Sequence, residues 1–308
     1  MAGCGLLFAG QASQKVGMGA ELYQSSGAAR AVFDEADAAL GFSISRICFD
    51  GPEGELTATE NAQPALVTVE LAMLAALVER GALDEGLSSV SCVAGHSLGE
   101  YAALSAAGCV SAPDAVRLVR LRGRLMAEAG AAVRGGMAAV LGLDRGVIEG
   151  LCDEHRGGGV LQVANLNCPG QVVISGDVDC LDAVEGPLTQ AGAKRVVRLA
   201  VSGAFHSARM EPVREGLGEA LAEAALSDPR IPVYANVSAR PVASSDEVRG
   251  ALVAQVASPV LWEDTLRGMI ASGVGRFVEV GPGRVLSGLL RRTDKSVVVE
   301  AAEDLLAA

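Results

Sequence analysis

Gly95-His96-Ser97-Leu98-Gly99 holds a serine midway between two glycines. Before it, Ser91 to Ala94 is a short apolar run; after it, Leu98 to Ala107 is rich in small residues at helical spacing. A serine on a strand-to-helix turn is the setting of a nucleophile elbow. Glycines on both sides let strand and helix close around a strained turn, so that the hydroxyl projects from the C-terminal end of a sheet. The helix N-terminus beyond it favours negative charge developing on an oxyanion. The plainer alternative is a turn serine that caps the helix; the strand before it and the helix after it favour the nucleophile. A serine hydroxyl needs a base, and the chain has three histidines. His96 adjoins the serine, but neighbours at a tight elbow point in different directions. His155 ends a polar helical stretch, where a cation complements the helix dipole. His206, in Ser202-Gly203-Ala204-Phe205-His206-Ser207, lies in a turn-like stretch and is the candidate base. No aspartate between Ser97 and His206 sits in a recognisable third-member motif, so a carbonyl or amide is expected to orient the imidazole, which makes a dyad.

These residues need a frame, and the pattern supplies one. Apolar runs of strand length alternate with amphipathic helical stretches, as in a parallel sheet with crossover helices. Strands are predicted at Gly5–Ala9, Ser91–Ala94, Pro232–Asn236 and Arg276–Val280. Helices are predicted at 27–40, 63–80, 98–107 and 112–132; in the second, Leu66, Val69, Leu71, Leu74, Leu77 and Val78 share one broad face. Between residues 130 and 201 the order becomes strand, helix, strand, strand, helix, strand. That is the split βαβ, ferredoxin-like unit, expected as an insert between the core segments 1–129 and 202–308. Residues 303–308 are expected to fray or form a loose helix.

Composition narrows the function. Only 3% of residues are aromatic, so the core must be built from Ala, Val, Leu and Ile. Acidic residues outnumber basic ones 37 to 25, for a net charge of −12, which argues against a nucleic-acid partner. The seven cysteines form no Cys-x-x-Cys pair and read as core thiols of a reducing compartment; Cys168 is the one expected near a surface or a site. The N-terminus has no basic segment ahead of its apolar run, and the apolar stretch 65–83 is interrupted by Glu70, Glu79 and Arg80. No membrane span is expected, and the cytoplasm follows by elimination. No His/Cys/Asp cluster has metal-ligand spacing, so no metal is predicted. Gly281-Pro282-Gly283 lacks the Lys-Ser/Thr of a phosphate loop and reads as a structural turn. Arg117, Arg120, Arg122 and Arg124 crowd one helix, as either a solvated face or an anion site.

Six stretches also carry a resemblance: Gly10-Gln11-Ala12-Ser13-Gln14, Gly95-His96-Ser97-Leu98-Gly99-Glu100-Tyr101, Arg120-Leu121-Arg122-Gly123, Asn167-Cys168-Pro169-Gly170-Gln171, Gly203-Ala204-Phe205-His206 and Glu279-Val280-Gly281-Pro282-Gly283. Their types and order are similar to the malonyl-CoA:acyl-carrier-protein transacylases, over nearly the whole chain. The resemblance implies an α/β-hydrolase-like core with a parallel sheet and an inserted ferredoxin-like subdomain. It also implies an acyltransferase that moves malonyl from coenzyme A to holo-acyl carrier protein, for fatty-acid or polyketide extension. Ser97 would be acylated and His206 would act as base, then acid. Backbone N–H groups of Gln11 and Leu98 would form the oxyanion hole. Arg122 would hold the free carboxylate, as a planar guanidinium grips one bidentately. The Gln255 carbonyl would orient His206, and Gln63 would line the pocket. Phe205 would narrow it against methylmalonyl, a penalty of about 1–3 kcal/mol for one methyl group. No further cofactor is implied, and a monomer is expected. Arg117 and Arg124 are candidates for coenzyme A or carrier contacts. Ala12 replaces the family's usual glycine, and its methyl group disfavours the positive φ such a loop uses.

Overall fold

The computed structural model describes residues 3–83 and 86–307. It is a mixed α/β structure with two sheets. The chain opens with β1 (Gly3–Phe8) and, after a run of helices, forms β2 (Val90–Gly95). The segment that follows the helix Ala112–Ala132 contributes β3 (Gly135–Leu141), β4 (Leu161–Cys168), β5 (Gln171–Asp177) and β6 (Arg195–Arg198). The remainder adds β7 (Val233–Tyr234), β8 (Pro241–Val242), β9 (Val274–Val280) and β10 (Val298–Ala301). The larger sheet has the order β10-β9-β1-β2-β7-β8. It is parallel except for the β7–β8 pair.

A parallel strand covered on both faces must be apolar at every position, and β1 shows this. Leu6 and Phe8 join the main core, Leu7 joins the core on the opposite face, and all three are fully buried. The helix Thr59–Glu79 departs from its expected single apolar face. Every residue from Ala62 to Leu74 is buried, while Val78 is 41% exposed. It packs against the helices Gly27–Leu40 and Ala112–Ala132 and so has no solvent side over most of its length. By length and composition this helix could cross a bilayer, yet 83% of its most apolar window lies inside the protein.

The smaller sheet is antiparallel throughout, in the order β4-β5-β3-β6. The helices Arg145–His155 and Val178–Gln190 cross between its strands. Side chains alternate along a strand. Ala138, Val140, Val172 and Ile174 therefore face their own small core, whereas Met137, Ala139 and Val173 face the cleft between the sheets. A register shift between Val163 and Asn165 turns Asn165 to the cleft side, opposite Val173. Backbone bonds from Leu166 N to the Val260 carbonyl and from Val260 N to the Ala164 carbonyl tie β4 to the larger unit.

The helices Val213–Glu223, Ser245–Gln255, Trp262–Ala271 and Val285–Thr293 lie beyond what periodicity predicted. The C-terminal stretch is a helix, Ala302–Ala307, with Ala308 outside the described residues. Among the described residues no cysteine is in a disulfide; Cys168 is buried beside the cleft residue Asn167, and the partly exposed thiol is Cys180.

Candidate active site

β2 ends at Gly95, the helix Gly99–Ala106 begins four residues later, and Ser97 between them has φ +52°. That left-handed backbone is costly for a serine and persists only where its surroundings enforce it. Close packing does so. A Cβ on Gly95 would lie 1.9 Å from the Gly99 carbonyl, and one on Gly99 would lie 2.4 Å from the Ala9 oxygen. Asn236 braces the bend from the far side: its Oδ1 accepts the Ser97 N–H at 2.7 Å, and its Nδ2 donates to the Gly95 carbonyl at 2.7 Å.

The structure brings His206 to this bend from 109 residues away, with Nε2 2.7 Å from Ser97 Oγ. Its Nδ1 lies 2.9 Å from the main-chain oxygen of Gln255. A carbonyl only accepts, so the proton sits on Nδ1 and the Nε2 lone pair faces the serine. That carbonyl is available because Gln255 is the last residue of its helix, where carbonyls lack an intrahelical partner. Burial, and then the charge of Arg122, push the His206 pKa down to about 3, so the ring is a neutral acceptor at pH 7.

Arg122 faces both. Its helix comes close to the core because Gly123 sits against the Thr59 carbonyl, where a Cβ would be 2.8 Å away. The side chain is 1% exposed. Nη1 donates to Gln63 Oε1 at 2.8 Å, and Nη2 donates to Gln255 Oε1 at 2.9 Å and to Ser97 Oγ at 3.1 Å. Its Nε–H has no partner among the described residues. All its partners are neutral oxygens. Burying a guanidinium without a contacting carboxylate is expensive, which marks a cavity prepared for an anion.

That cavity, about 330 Å³, is lined by Ser97, Arg122, Phe205 and His206, with Met126 on one wall and Met137 from the smaller sheet opposite. Phe205 is 4% exposed. Gln11 lines the entrance. Among the described residues, no protein acceptor takes the backbone N–H of Gln11 or of Leu98, so both donors are open to a ligand oxygen. Ala12 has φ +79° despite its Cβ. Its methyl group is exposed, and its N–H is held by Gln14 Oε1 at 2.8 Å, which together make the left-handed turn tolerable.

The other candidates stand outside the Ser97–His206–Arg122 contacts, although His96 also lines the cavity. His96 bonds Asn167 Oδ1 at 3.0 Å and packs edge-on against Trp262. His155 bonds the Leu151 carbonyl within its own helix. Arg117 and Arg124 pair with Asp114 and Glu128 on the surface, and Arg120 bonds the Glu60 carbonyl. Neither Arg117 nor Arg124 reaches the cavity. Among the described residues no group of three or more His, Cys, Asp or Glu could hold a metal.

Two polar residues of this centre carry no signal of their own in the sequence. Asn236 follows a two-residue strand. Glu100, beside the elbow, looks like an ordinary acidic residue in a first helical turn, yet it is 2% exposed.

A sheet ending in a serine elbow, with an imidazole and a buried guanidinium in one cavity, has the makings of an acyl-transfer site. Residues 6–307 match the acyl transferase domain, and the chain belongs to that family. The malonyl CoA-acyl carrier protein transacylase of Bacillus subtilis (strain 168) is 44% identical over 299 residues, 97% of this chain and 92% of that protein. The solved acyl-carrier-protein-S-malonyltransferase of Bartonella henselae superposes with a TM-score of 0.94 at 42% identity, covering 99% of this chain and 98% of that one. A malonyl-transacylase solved in complex with its type II PKS acyl-carrier protein gives a TM-score of 0.94 at 37% identity, covering 99% and 98%.

Proposed function

We propose that this chain transfers a malonyl group from coenzyme A to the phosphopantetheine thiol of an acyl carrier protein through an acyl-enzyme on Ser97. The observation that carries this reading is the buried guanidinium of Arg122, 3.1 Å from the Ser97 hydroxyl and free of any carboxylate in contact. A neutral acyl chain has no use for that charge; the free carboxylate of malonyl does. His206 Nε2 takes the hydroxyl proton as Oγ attacks the thioester carbon. The N–H groups of Gln11 and Leu98 receive the oxyanion. The C–S bond then breaks, and His206 returns the proton to the coenzyme A sulfur. The carrier's thiol gives its proton to His206, attacks the Ser97 ester, and the C–O bond breaks with the proton passing back to Oγ. Arg122 holds the carboxylate through both halves, which keeps the reacting carbon in place. Gln63 fixes the guanidinium, and Phe205 closes the space an α-methyl group would need.

The reaction as written needs only malonyl-CoA and holo-carrier protein. Segments 1–129 and 202–308 act as an α/β-hydrolase-like core, and 130–201 as a ferredoxin-like subdomain roofing the cavity. The latter reading is supported by its βαββαβ order and its strand arrangement. We place the protein in the cytoplasm as a monomer that supplies fatty-acid or polyketide extension. Intact-protein mass spectrometry tests the core of this proposal. Malonyl-CoA should add one malonyl group to the wild type and none to Ser97→Ala, and holo-carrier protein should take the group onto its own thiol. An adduct retained by Ser97→Ala, or release only to water, defeats the reading.

A further inference from the structure

We propose that Glu100 is a positioning residue: its carboxylate fixes which way the Gln255 amide faces, and so aligns Arg122 with Ser97. The inference rests on the transferase reading above. Glu100 lies three residues after Ser97, in the first turn of the helix Gly99–Ala106, and is 2% exposed. Its Oε2 accepts from Gln255 Nε2 at 2.8 Å and from the Asn236 backbone N–H at 3.0 Å.

Gln255 is tied to each part of the centre, by its side chain and its main chain together. Its Nε2 also donates to the Ser97 carbonyl at 2.9 Å, its Oε1 accepts from Arg122 Nη2, and its main-chain oxygen holds His206 Nδ1. The two ends of a side-chain amide have nearly the same shape, so only hydrogen bonding distinguishes one orientation from its flip. In the observed orientation both Nε2 hydrogens meet pure acceptors, the Glu100 carboxylate and the Ser97 carbonyl. In the flipped one, Oε1 would face those same two acceptors and the NH2 would face the Arg122 donors, so three bonds would turn into three repulsions. The Ser97 carbonyl can occupy only one of the two Nε2 hydrogens. Glu100 occupies the other with a carboxyl oxygen; burial raises its pKa to about 7, and this oxygen accepts the bond with or without the charge. Asn236, held by the same carboxylate, also grips the Ser97 N–H, so one buried group braces the elbow and the arginine together.

This account explains why a carboxylate is buried here without an ion-pair contact. It is linked to Arg122 only through the amide of Gln255, which leaves the guanidinium face toward Ser97 open for a substrate anion.

The test compares Glu100→Gln and Glu100→Leu with the wild type. It measures kcat and KM for release of coenzyme A from malonyl-CoA and from acetyl-CoA, with thermal melts to verify folding. Leucine offers no acceptor, so the malonyl kcat should fall about tenfold or more, and the preference for malonyl over acetyl should fall by a similar factor. Glutamine can present an oxygen to the same two donors and should restore both to within about threefold of the wild type. If Leu does not fold, Glu100→Asp serves instead: it keeps the charge, withdraws the acceptor by one methylene group, and should still lose malonyl preference. A folded Glu100→Leu (or Glu100→Asp) variant that loses both substrates equally, or neither, overturns the proposal. So does a Gln variant as impaired as Leu. A wild type that takes no malonyl group overturns the transferase reading and this inference with it; a wild type that acylates beside a Leu or Asp variant of unchanged preference overturns this inference alone.

Discussion

The elbow and the outer surface of the smaller sheet obey opposite rules. At Ser97 a strand, a helix and a crossing loop meet so closely that neither Gly95 nor Gly99 has room for a methyl group, and the serine is forced to positive φ. On β6 and on the outer side of the helix Arg145–His155 the chain is regular and solvated, with Val147 43% exposed and Val197 38% exposed. Yet the inner face of that same sheet supplies Met137, Ala139 and Val173 to the cavity. The lesson is that function here follows the depth of packing. Strain can be held only where many atoms enforce it, while the roof needs only the right face turned inward.

Substitution at Gly95 strains this contrast the most. Gly95→Ala should destabilise the protein by about 3 kcal/mol and abolish malonyl-enzyme formation, because backbone rather than a flexible side chain stands in the way. Denaturant unfolding and mass spectrometry would measure both, and a stable, active Gly95→Ala would remove the claim that packing imposes the bend.

Arg122→Ala comes next. Malonyl transfer should fall about a hundredfold, with acetyl transfer much less affected, since the loss is that of a buried charge partner. Equal losses with malonyl-CoA and acetyl-CoA would mean that Arg122 serves the fold and not the substrate.

A smaller effect belongs to His206. Burial and the neighbouring Arg122 charge depress its pKa from 6.5 to about 3. The unfolded chain therefore binds this proton more readily, and stability should fall as pH drops from 6.5 toward 3. By NMR, the imidazole signal missing from His206→Gln should not titrate between pH 5 and 8 in the wild type. In Arg122→Ala its midpoint should rise, because a repelling charge is gone. An unmoved midpoint would rule out Arg122 as a cause.

The smallest effect marks the other pole. Val147→Asp should change stability by no more than about 0.5 kcal/mol and leave acylation unaltered, as expected for an exposed position. A large loss, read from melting and coenzyme A release, would mean that the outer surface of the smaller sheet has a role of its own.

Much of this was legible along the chain because it is local. Gly95, Ser97 and Gly99 announce a tight turn by their spacing alone. Alternating periods marked the helices 27–40 and 112–132 and the strand–helix order of 130–201, since backbone period and apolar pattern must agree. Arg122 was singled out by the resemblance alone, since the four arginines of its helix read equally as a solvated face; at about 100° per residue it points away from Arg120 and Arg124, two positions to either side. Short strands such as β7 were harder to bound, because two residues hold too little pattern.

What the tertiary structure alone decided is which distant groups meet. The resemblance implied that the Gln255 carbonyl faces an imidazole 49 residues away, but nothing near position 255 states that its amide will sit between Glu100 and Arg122. Asn236 likewise reads as the end of the predicted strand Pro232–Asn236 until its amide is seen on both sides of the elbow. Local sequence sets periods and turns because those depend on neighbouring dihedral angles. The polar centre depends on how whole elements pack, where an unpaired buried donor or acceptor costs about 1–3 kcal/mol. That cost selects the partners only once the chain has closed around them.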